Sequence, residues 1–248
     1  MGTFEDYSNY YDLLYADKDY DGEVAYVDTL IKKNNSKAKT LLDLGCGTGK
    51  HDMLFQKKGY VTTGVDLSQD MIKRAQAQYD LPFVHGDIRT VQLQKKFDVV
   101  VSLFHVMSYQ TANTDIQQVF KTAKTHLEKG GLFIFDCWYG PAILNDQPVT
   151  RIKRMEDNKN EIIRVSESVL NANTNIVDVT FEVLIRDKQQ ETVRKIKELH
   201  RMRYLFFPEI EHYAANEGFK IVTFEEWLTG KQPQIDSRNV VFVCTLAN

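Results

Sequence analysis

Cysteine is scarce in this chain. Cys46, Cys137 and Cys244 are the three in 248 residues, and they stand far apart. That excludes a disulfide framework and the paired-thiol spacings of zinc sites. The three are expected to be small buried side chains in a reducing compartment. An excess of either charge is missing too. A net charge of -3 speaks against a nucleic-acid partner, which calls for a basic surplus. No apolar run approaches membrane length, and the first residues lack the basic and apolar regions of a leader. A cytoplasmic protein without membrane contact is therefore expected. Internal repeats, low-complexity tracts and a dense Asp/Glu/His cluster are also absent, and no metal is expected. What the chain does have is core material, at 43% hydrophobic residues against an ordinary 26% charged. Its length suits one domain, or one domain with a sizeable insertion.

The sequence is organised around Thr40 to Asp66, TLLDLGCGTGKHDMLFQKKGYVTTGVD. Leu41, Leu42 and Leu44 predict a buried parallel strand. Gly45, Gly47 and Gly49 follow at alternate positions, where the backbone can turn sharply and approach a ligand with no Cβ between. A helix from about Lys50 to Lys58 and a strand from Val61 to Val65 lead to Asp66. An acid at that strand tip, roughly 20 residues past the glycines, is placed to bind a ribose diol. The unit should therefore bind a nucleoside. Its spacing is G-x-G-x-G rather than the G-x-G-x-x-G that seats a pyrophosphate. Asp43 just upstream would repel a pyrophosphate but accept hydrogen bonds from a cationic amino-acid tail. That balance of charge favours S-adenosylmethionine (SAM) over NAD.

LDLGCGTG followed by GVDLS resembles motifs I and II of class I SAM-dependent methyltransferases, with the glycine turn, Asp43 and Asp66 occurring together. The resemblance implies a doubly wound, Rossmann-like α/β fold with a seven-stranded sheet. It also implies that Gly86-Asp87-Ile88 sits against the adenine, Asp87 accepting from the exocyclic amine and Ile88 covering the ring. The tyrosine-rich start, YYDLLYADKDYDGE, puts Tyr11, Leu14 and Tyr15 on one helical face. It can be read as a helix packed on the sheet or as a lid. The YDxxY stretch of small-molecule methyltransferases closes over SAM, which implies a lid with Tyr11 and Tyr15 at the cofactor.

Further along, FDVVVSL from Phe97 to Leu103 predicts a central strand, and its carboxyl end continues as Phe104-His105-Val106-Met107-Ser108-Tyr109. Ligands of doubly wound sheets bind outside such strand ends. That placement makes His105 a candidate base, beside the plainer role of satisfying a backbone carbonyl. A helix from Thr114 to His126, ended by Gly130-Gly131, and a strand from Leu132 to Phe135 follow, with Trp138 and Tyr139 at the tip as substrate wall or rim packing. From about Val149 to Leu205 alternation replaces helical periodicity, which predicts an antiparallel β insertion after the fifth strand. Its basic residues either guard edge strands or steer an anionic acceptor such as a sugar nucleotide. His200, Met202 and Tyr204 share one strand face, and Arg201 and Arg203 the other. A last helix from Pro208 and two strands complete the core sheet. The expected organisation is residues 1–148 as lid plus cofactor core, 149–206 as substrate and dimer subdomain, and 207–248 as completion of the sheet.

Methyl transfer from a sulfonium is an in-line displacement, so the protein's tasks are positioning and keeping the nucleophile deprotonated. An amine suits a base near neutrality, whereas a sugar hydroxyl needs a stronger one. The whole chain resembles the small-molecule branch that includes nucleotide-linked amino-sugar N,N-dimethyltransferases. A His after the fourth strand assists the amine there. Tyr109 occupies that place here, with His105 one helical turn earlier. The resulting expectations assign catalysis to His105, Tyr109 and His200. The cofactor falls to Tyr11, Tyr15, Asp43, Gly45, Gly47, Gly49, Asp66, Leu67, Asp87, Ile88, Leu103 and Phe104, and the substrate to Trp138, Tyr139, Arg201 and Arg203. A homodimer through the inserted sheet follows from scaffold analogy. A nucleic-acid methyltransferase is disfavoured by charge and by the lack of an (N/D)PP(Y/F) tip. A non-catalytic SAM-binding protein fits less well with an intact glycine turn.

Overall fold

The computed structural model describes residues 18–246. The first half alternates strands and helices: α1 (Tyr20–Asn34), β1 (Thr40–Leu44), α2 (Lys50–Lys57), β2 (Val61–Asp66), α3 (Gln69–Gln78), β3 (Phe83–His85), β4 (Phe97–Ser102), a 3-10 turn (Val106–Tyr109), α4 (Asn113–His126) and β5 (Leu127–Trp138). A short helix α5 (Gly140–Asn145) leads into β6 (Arg151–Glu156), β7 (Asn160–Asn171), β8 (Ile176–Asp187) and β9 (Val193–Arg203). The chain closes with α6 (Phe207–Asn216), β10 (Phe219–Glu226) and β11 (Asn239–Leu246).

Local chemistry sets the helix ends. Asp19 caps α1 by accepting from Gly22 N–H at 2.9 Å, with acids in its first turn and Lys32 and Lys33 in its last. Ser68 caps α3 through Met71 N–H. At α6, Glu209 accepts from Phe206 N–H at 3.0 Å.

The main sheet has seven strands in the order β10-β11-β5-β4-β1-β2-β3. All pairings are parallel except those made by β11, which runs antiparallel to both β5 and β10. The chain winds outward from β1 to β3 and then returns to β4 beside β1, so the order reverses there. That reversal opens a crevice at the strands' carboxyl ends. The strands are buried on both sides, as a parallel sheet between helical layers requires. Leu42, Val100, Phe133 and Phe242 face α4 and α6. Their neighbours Leu41, Val99, Ile134 and Val243 face α1 and α2.

The inserted strands form a separate four-stranded antiparallel sheet, β6-β7-β8-β9. β7 and β8 pair along their whole length without a register shift. Val177 and Val179 on β8 pack with Ile143 of α5 and the fully buried Tyr204, and Trp138 and Phe181 lie against that cluster. This contact brings one face of the inserted sheet to the crevice.

Two local expectations are corrected. Gly130-Gly131 does not end α4, because β5 begins directly at Leu127. Phe97 pairs with Leu127 but Val99 with Leu132, so the glycines lie in a bulge of the strand rather than in a helix cap. The fifth strand also runs on past Phe135 to Trp138, held there by β11. Among the described residues no helix is long and apolar enough to cross a membrane. Tyr11 and Tyr15, and with them the expected lid, lie outside the described residues.

Candidate active site

A cavity of about 790 Å3 opens at the reversal of strand order, within the range of small-molecule sites. One end is built largely of backbone. Gly45, Cys46 and Gly47 line it, and Gly45 and Cys46 N–H both donate to Val65 O, at 2.8 and 3.0 Å. A Cβ placed on Gly47 (φ +55°) would meet nothing within 4 Å, because this turn faces the open cavity. Gly49 (φ +77°) differs. A Cβ there would stand 2.4 Å from the Phe83 ring, so this glycine seats α2 against β3 and does not line the cavity.

Asp66 sits at the tip of β2. One oxygen accepts from Gly47 N–H at 2.9 Å and the other from Ser68 N–H at 2.8 Å. Burial raises its pKa, and the two backbone donors oppose the rise. A carboxylate has about four lone-pair directions, so it keeps capacity for a ribose diol. Leu67, Ile88, Leu103 and Phe104 also line the cavity.

Asp87 also lines the cavity, but its oxygens are heavily engaged. Arg89 donates from its backbone N–H and Nε to Oδ1, both at 2.9 Å, and from Nη2 to Oδ2 at 2.6 Å. These bonds hold the Asp87 carboxyl below its ordinary pKa. An adenine amine would have to share an oxygen with Arg89. Asp43 departs further from expectation: it is 1% exposed and does not line the cavity. It lies behind the glycine turn against Asp52, which is also fully buried. Burial, with the Asp66 charge nearby, pushes Asp43 up to about 7, and Asp52 is raised as well. Two carboxyl groups buried side by side disfavour a second negative charge. Asp43 therefore supports the turn from behind and is not placed to receive a cofactor's ammonium group.

The other end of the cavity is built of side chains from distant parts of the chain. At the end of β4, Phe104 and His105 both take φ +63°, a left-handed conformation costing non-glycine residues of order 1–3 kcal/mol each. The buried carboxylate of Asp136 on β5 holds this kink. It accepts from His105 N–H at 3.1 and 3.2 Å, and His105 Nδ1 lies 2.6 Å from Asp136 Oδ2. The His105 ring is thus fixed with Nδ1 toward the carboxylate, leaving Nε2 as its other nitrogen. Trp138 flanks it at 6.3 Å between ring centroids, and Trp138 N–H donates to the buried Ser108 Oγ at 3.0 Å. One turn on, Tyr109 Oη lies 2.7 Å from His200 Nδ1 on the inserted sheet. Val179, Phe181, His200 and Met202 complete that wall.

Three expected substrate residues are not at the cavity. With His200 and Met202 turned inward, strand alternation turns Arg201 and Arg203 away. Arg201 forks onto Asp178 with both contacts at 2.8 Å on the outer face, and Arg203 ties β9 to Glu209 of α6 at 2.6 Å. Tyr139 begins α5 and packs on Phe224 at 5.7 Å. Residues the sequence reading passed over are Asp136, hidden at a strand tip assigned to its aromatic neighbours, and Glu198. Glu198 stands two positions before His200 on the same strand face, a spacing that could have flagged it. Tyr20, Lys50 and His51 also line the cofactor end, His51 held by Glu23 at 2.8 Å.

The geometry fits a nucleoside with a bulky tail at the glycine end and a second small molecule beside His105 and Tyr109. Residues 41–131 match the model of a methyltransferase domain. The chain is 30% identical to dTDP-3-amino-3,4,6-trideoxy-alpha-D-glucopyranose N,N-dimethyltransferase of Streptomyces venezuelae, covering 91% of this chain and 95% of that one. Among solved structures, Streptomyces venezuelae DesVI superposes with a TM-score of 0.83 at 26% identity over 98% of each chain. The sugar N-methyltransferase KedS8 of Streptoalloteichus gives a TM-score of 0.84 over 96% of this chain and 93% of its own, at an identity of 22% that speaks to fold alone. The chain belongs to the class I SAM-dependent methyltransferases, in the small-molecule branch that resembles the nucleotide-amino-sugar N,N-dimethyltransferases.

Proposed function

We propose that this methyltransferase acts on the amino group of a small nucleotide-linked sugar. The observation that carries the reading is the convergence of His105, backed by Asp136, and Tyr109, backed by His200, at one end of the cavity. An aliphatic amine is mostly ammonium at neutral pH and has no lone pair to offer. Imidazole accepts a proton in that range, whereas a sugar hydroxyl would demand a stronger base. The similarity to an enzyme named for a dTDP-amino sugar supports the same acceptor class.

SAM, when bound, supplies a methyl group on a positively charged sulfur. Asp66, Gly47, Leu67 and Ile88 would hold its nucleoside. On the acceptor side, Trp138, Val179, Phe181 and Met202 exclude water and orient the sugar, and His105, its Nδ1 2.6 Å from Asp136 Oδ2, stands beside them on the wall. The inserted sheet thus serves as a substrate subdomain. Its outer face, where Val169 and Leu199 are exposed between ion pairs such as Arg201–Asp178, is the surface assigned to a homodimer. A cytoplasmic location accords with three free buried cysteines.

The test is to offer SAM with a dTDP-linked amino sugar and with its hydroxyl counterpart. The expected result is S-adenosylhomocysteine and N-methylated product from the amino sugar alone. Comparable turnover of the hydroxyl sugar, or no S-adenosylhomocysteine from the amino sugar, contradicts the reading.

A further inference from the structure

Tyr109 and His200 are 91 positions apart, yet Oη and Nδ1 lie 2.7 Å from each other. The second ring nitrogen, Nε2, lies 3.3 Å from Glu198 Oε2. His200 is 2% exposed, and the Glu198 side chain 9%. Phe181 from β8 stands edge-on to the imidazole at 4.7 Å and lines the cavity with it. An ionised carboxylate can only accept, so its bond to Nε2 places the ring proton there and leaves Nδ1 with a bare lone pair. Nδ1 is then the acceptor and the Tyr109 hydroxyl the donor. The phenol oxygen can in turn accept a hydrogen bond from a group in the cavity that Tyr109 lines.

We propose that Tyr109, His200 and Glu198 form a relay that removes the acceptor's proton, with Glu198 as the positioning residue; this rests on the amine acceptor proposed above. An N–H bond of the ammonium breaks as its proton passes to Tyr109 Oη. The Tyr109 O–H bond breaks in the same step, and that proton passes to His200 Nδ1. The acceptor nitrogen keeps the electron pair and becomes a neutral amine, and that pair goes on to form the N–C bond. Tyr109 ends as a neutral phenol, and His200 becomes an imidazolium beside the Glu198 carboxylate. One positive charge has moved from the acceptor to His200, and no co-reactant is needed. The logic is that of a carboxylate fixing a histidine's tautomer so that its other nitrogen can take a proton. Here it is assembled from an inserted strand and the turn behind β4.

The test is Glu198→Gln, which keeps the shape but lets an amide N–H donate to Nε2 and so reverses the tautomer. In 15N spectra of histidine-labelled protein, His200 is expected as the Nε2–H tautomer in the parent and as Nδ1–H in the variant. For an amino-sugar acceptor, kcat is expected to fall about 100-fold with KM for SAM unchanged, and Glu198→Asp to restore most of it. An Nδ1–H tautomer in the parent, or parental kcat in Glu198→Gln, overturns the relay. A parent enzyme that yields no methylated amine overturns the amine reading instead, and the relay with it. A parent that methylates amines as fast as its Glu198→Gln variant overturns the relay alone.

Discussion

The two ends of the cavity are made in different ways. The cofactor end is centred on one continuous stretch, β1 through β2, with Ile88 and the end of β4 on its wall, and its main parts are the Gly45–Gly47 backbone turn and an Asp66 carboxylate tied to Gly47 and Ser68 N–H. The acceptor end has no continuous source. His105 is held by Asp136, 31 positions away, and Tyr109 meets His200 across 91. The first end depends on a local fold and should be fixed in geometry. The second depends on how an inserted sheet docks against the core, through Ile143, Val177, Val179 and Tyr204. Rigidity in one place and exchangeable side chains in the other would let one scaffold keep its methyl donor while changing its acceptor.

If the ends are separable, substitutions should sort by end. The largest effect is expected for Tyr109→Phe, which removes the hydroxyl between cavity and His200. Turnover of an amino-sugar acceptor should fall about 100- to 1,000-fold, with calorimetric SAM affinity intact. Next is Gly49→Ala. Its Cβ would stand 2.4 Å from Phe83, in a left-handed conformation. Strain and overpacking together should cost about 2–5 kcal/mol in a denaturation midpoint analysis. Asp66→Asn should weaken SAM binding by about 1–3 kcal/mol without touching stability to the same degree.

A pH test separates Asp43 from the cofactor. Its folded pKa of about 7 lies above the ordinary carboxyl value of 3.8, so the folded chain holds a proton that the unfolded chain releases. That contribution is complete below about pH 4 and lost as pH rises toward 7, at no more than about 1.4 kcal/mol per unit. Asp43→Asn should flatten this fall in a stability-against-pH series while leaving SAM affinity near the parent's. The smallest effect belongs to Arg201→Ala. Turned outward onto Asp178, it should change stability by no more than about 0.5 kcal/mol and leave turnover alone. A tenfold loss of acceptor affinity would return Arg201 to the site.

The same contrast explains what could be read in advance. The glycine spacing and the acid at the next strand tip are local patterns with a mechanism, and the structure places Gly47 and Asp66 at the cavity. Period-two alternation likewise announced β7, β8 and β9 and put His200 and Met202 on one face. That same alternation already turned Arg201 and Arg203 away, and the pull of their charge toward an anionic substrate was the error. Asp43 shows another limit: position beside a motif says nothing about which side of the turn a carboxylate occupies. Gly130-Gly131 imitated a helix cap because a bulge and a cap ask for the same residue. Neither key pairing carries a local pattern: His105 meets Asp136 only once β4 and β5 lie side by side, and Tyr109 meets His200 only once the inserted sheet has docked.

The division of labour between the ends can be measured in one experiment. SAM affinity by calorimetry and the single-turnover rate of amine methylation at saturating SAM would be compared for Asp66→Asn and Tyr109→Phe. Asp66→Asn is expected to raise Kd roughly 10- to 100-fold with the saturated rate near parental, and Tyr109→Phe to do the reverse. A saturated rate that falls as far in Asp66→Asn as in Tyr109→Phe, or a Tyr109→Phe enzyme that loses SAM affinity, would contradict a cavity with two separable ends.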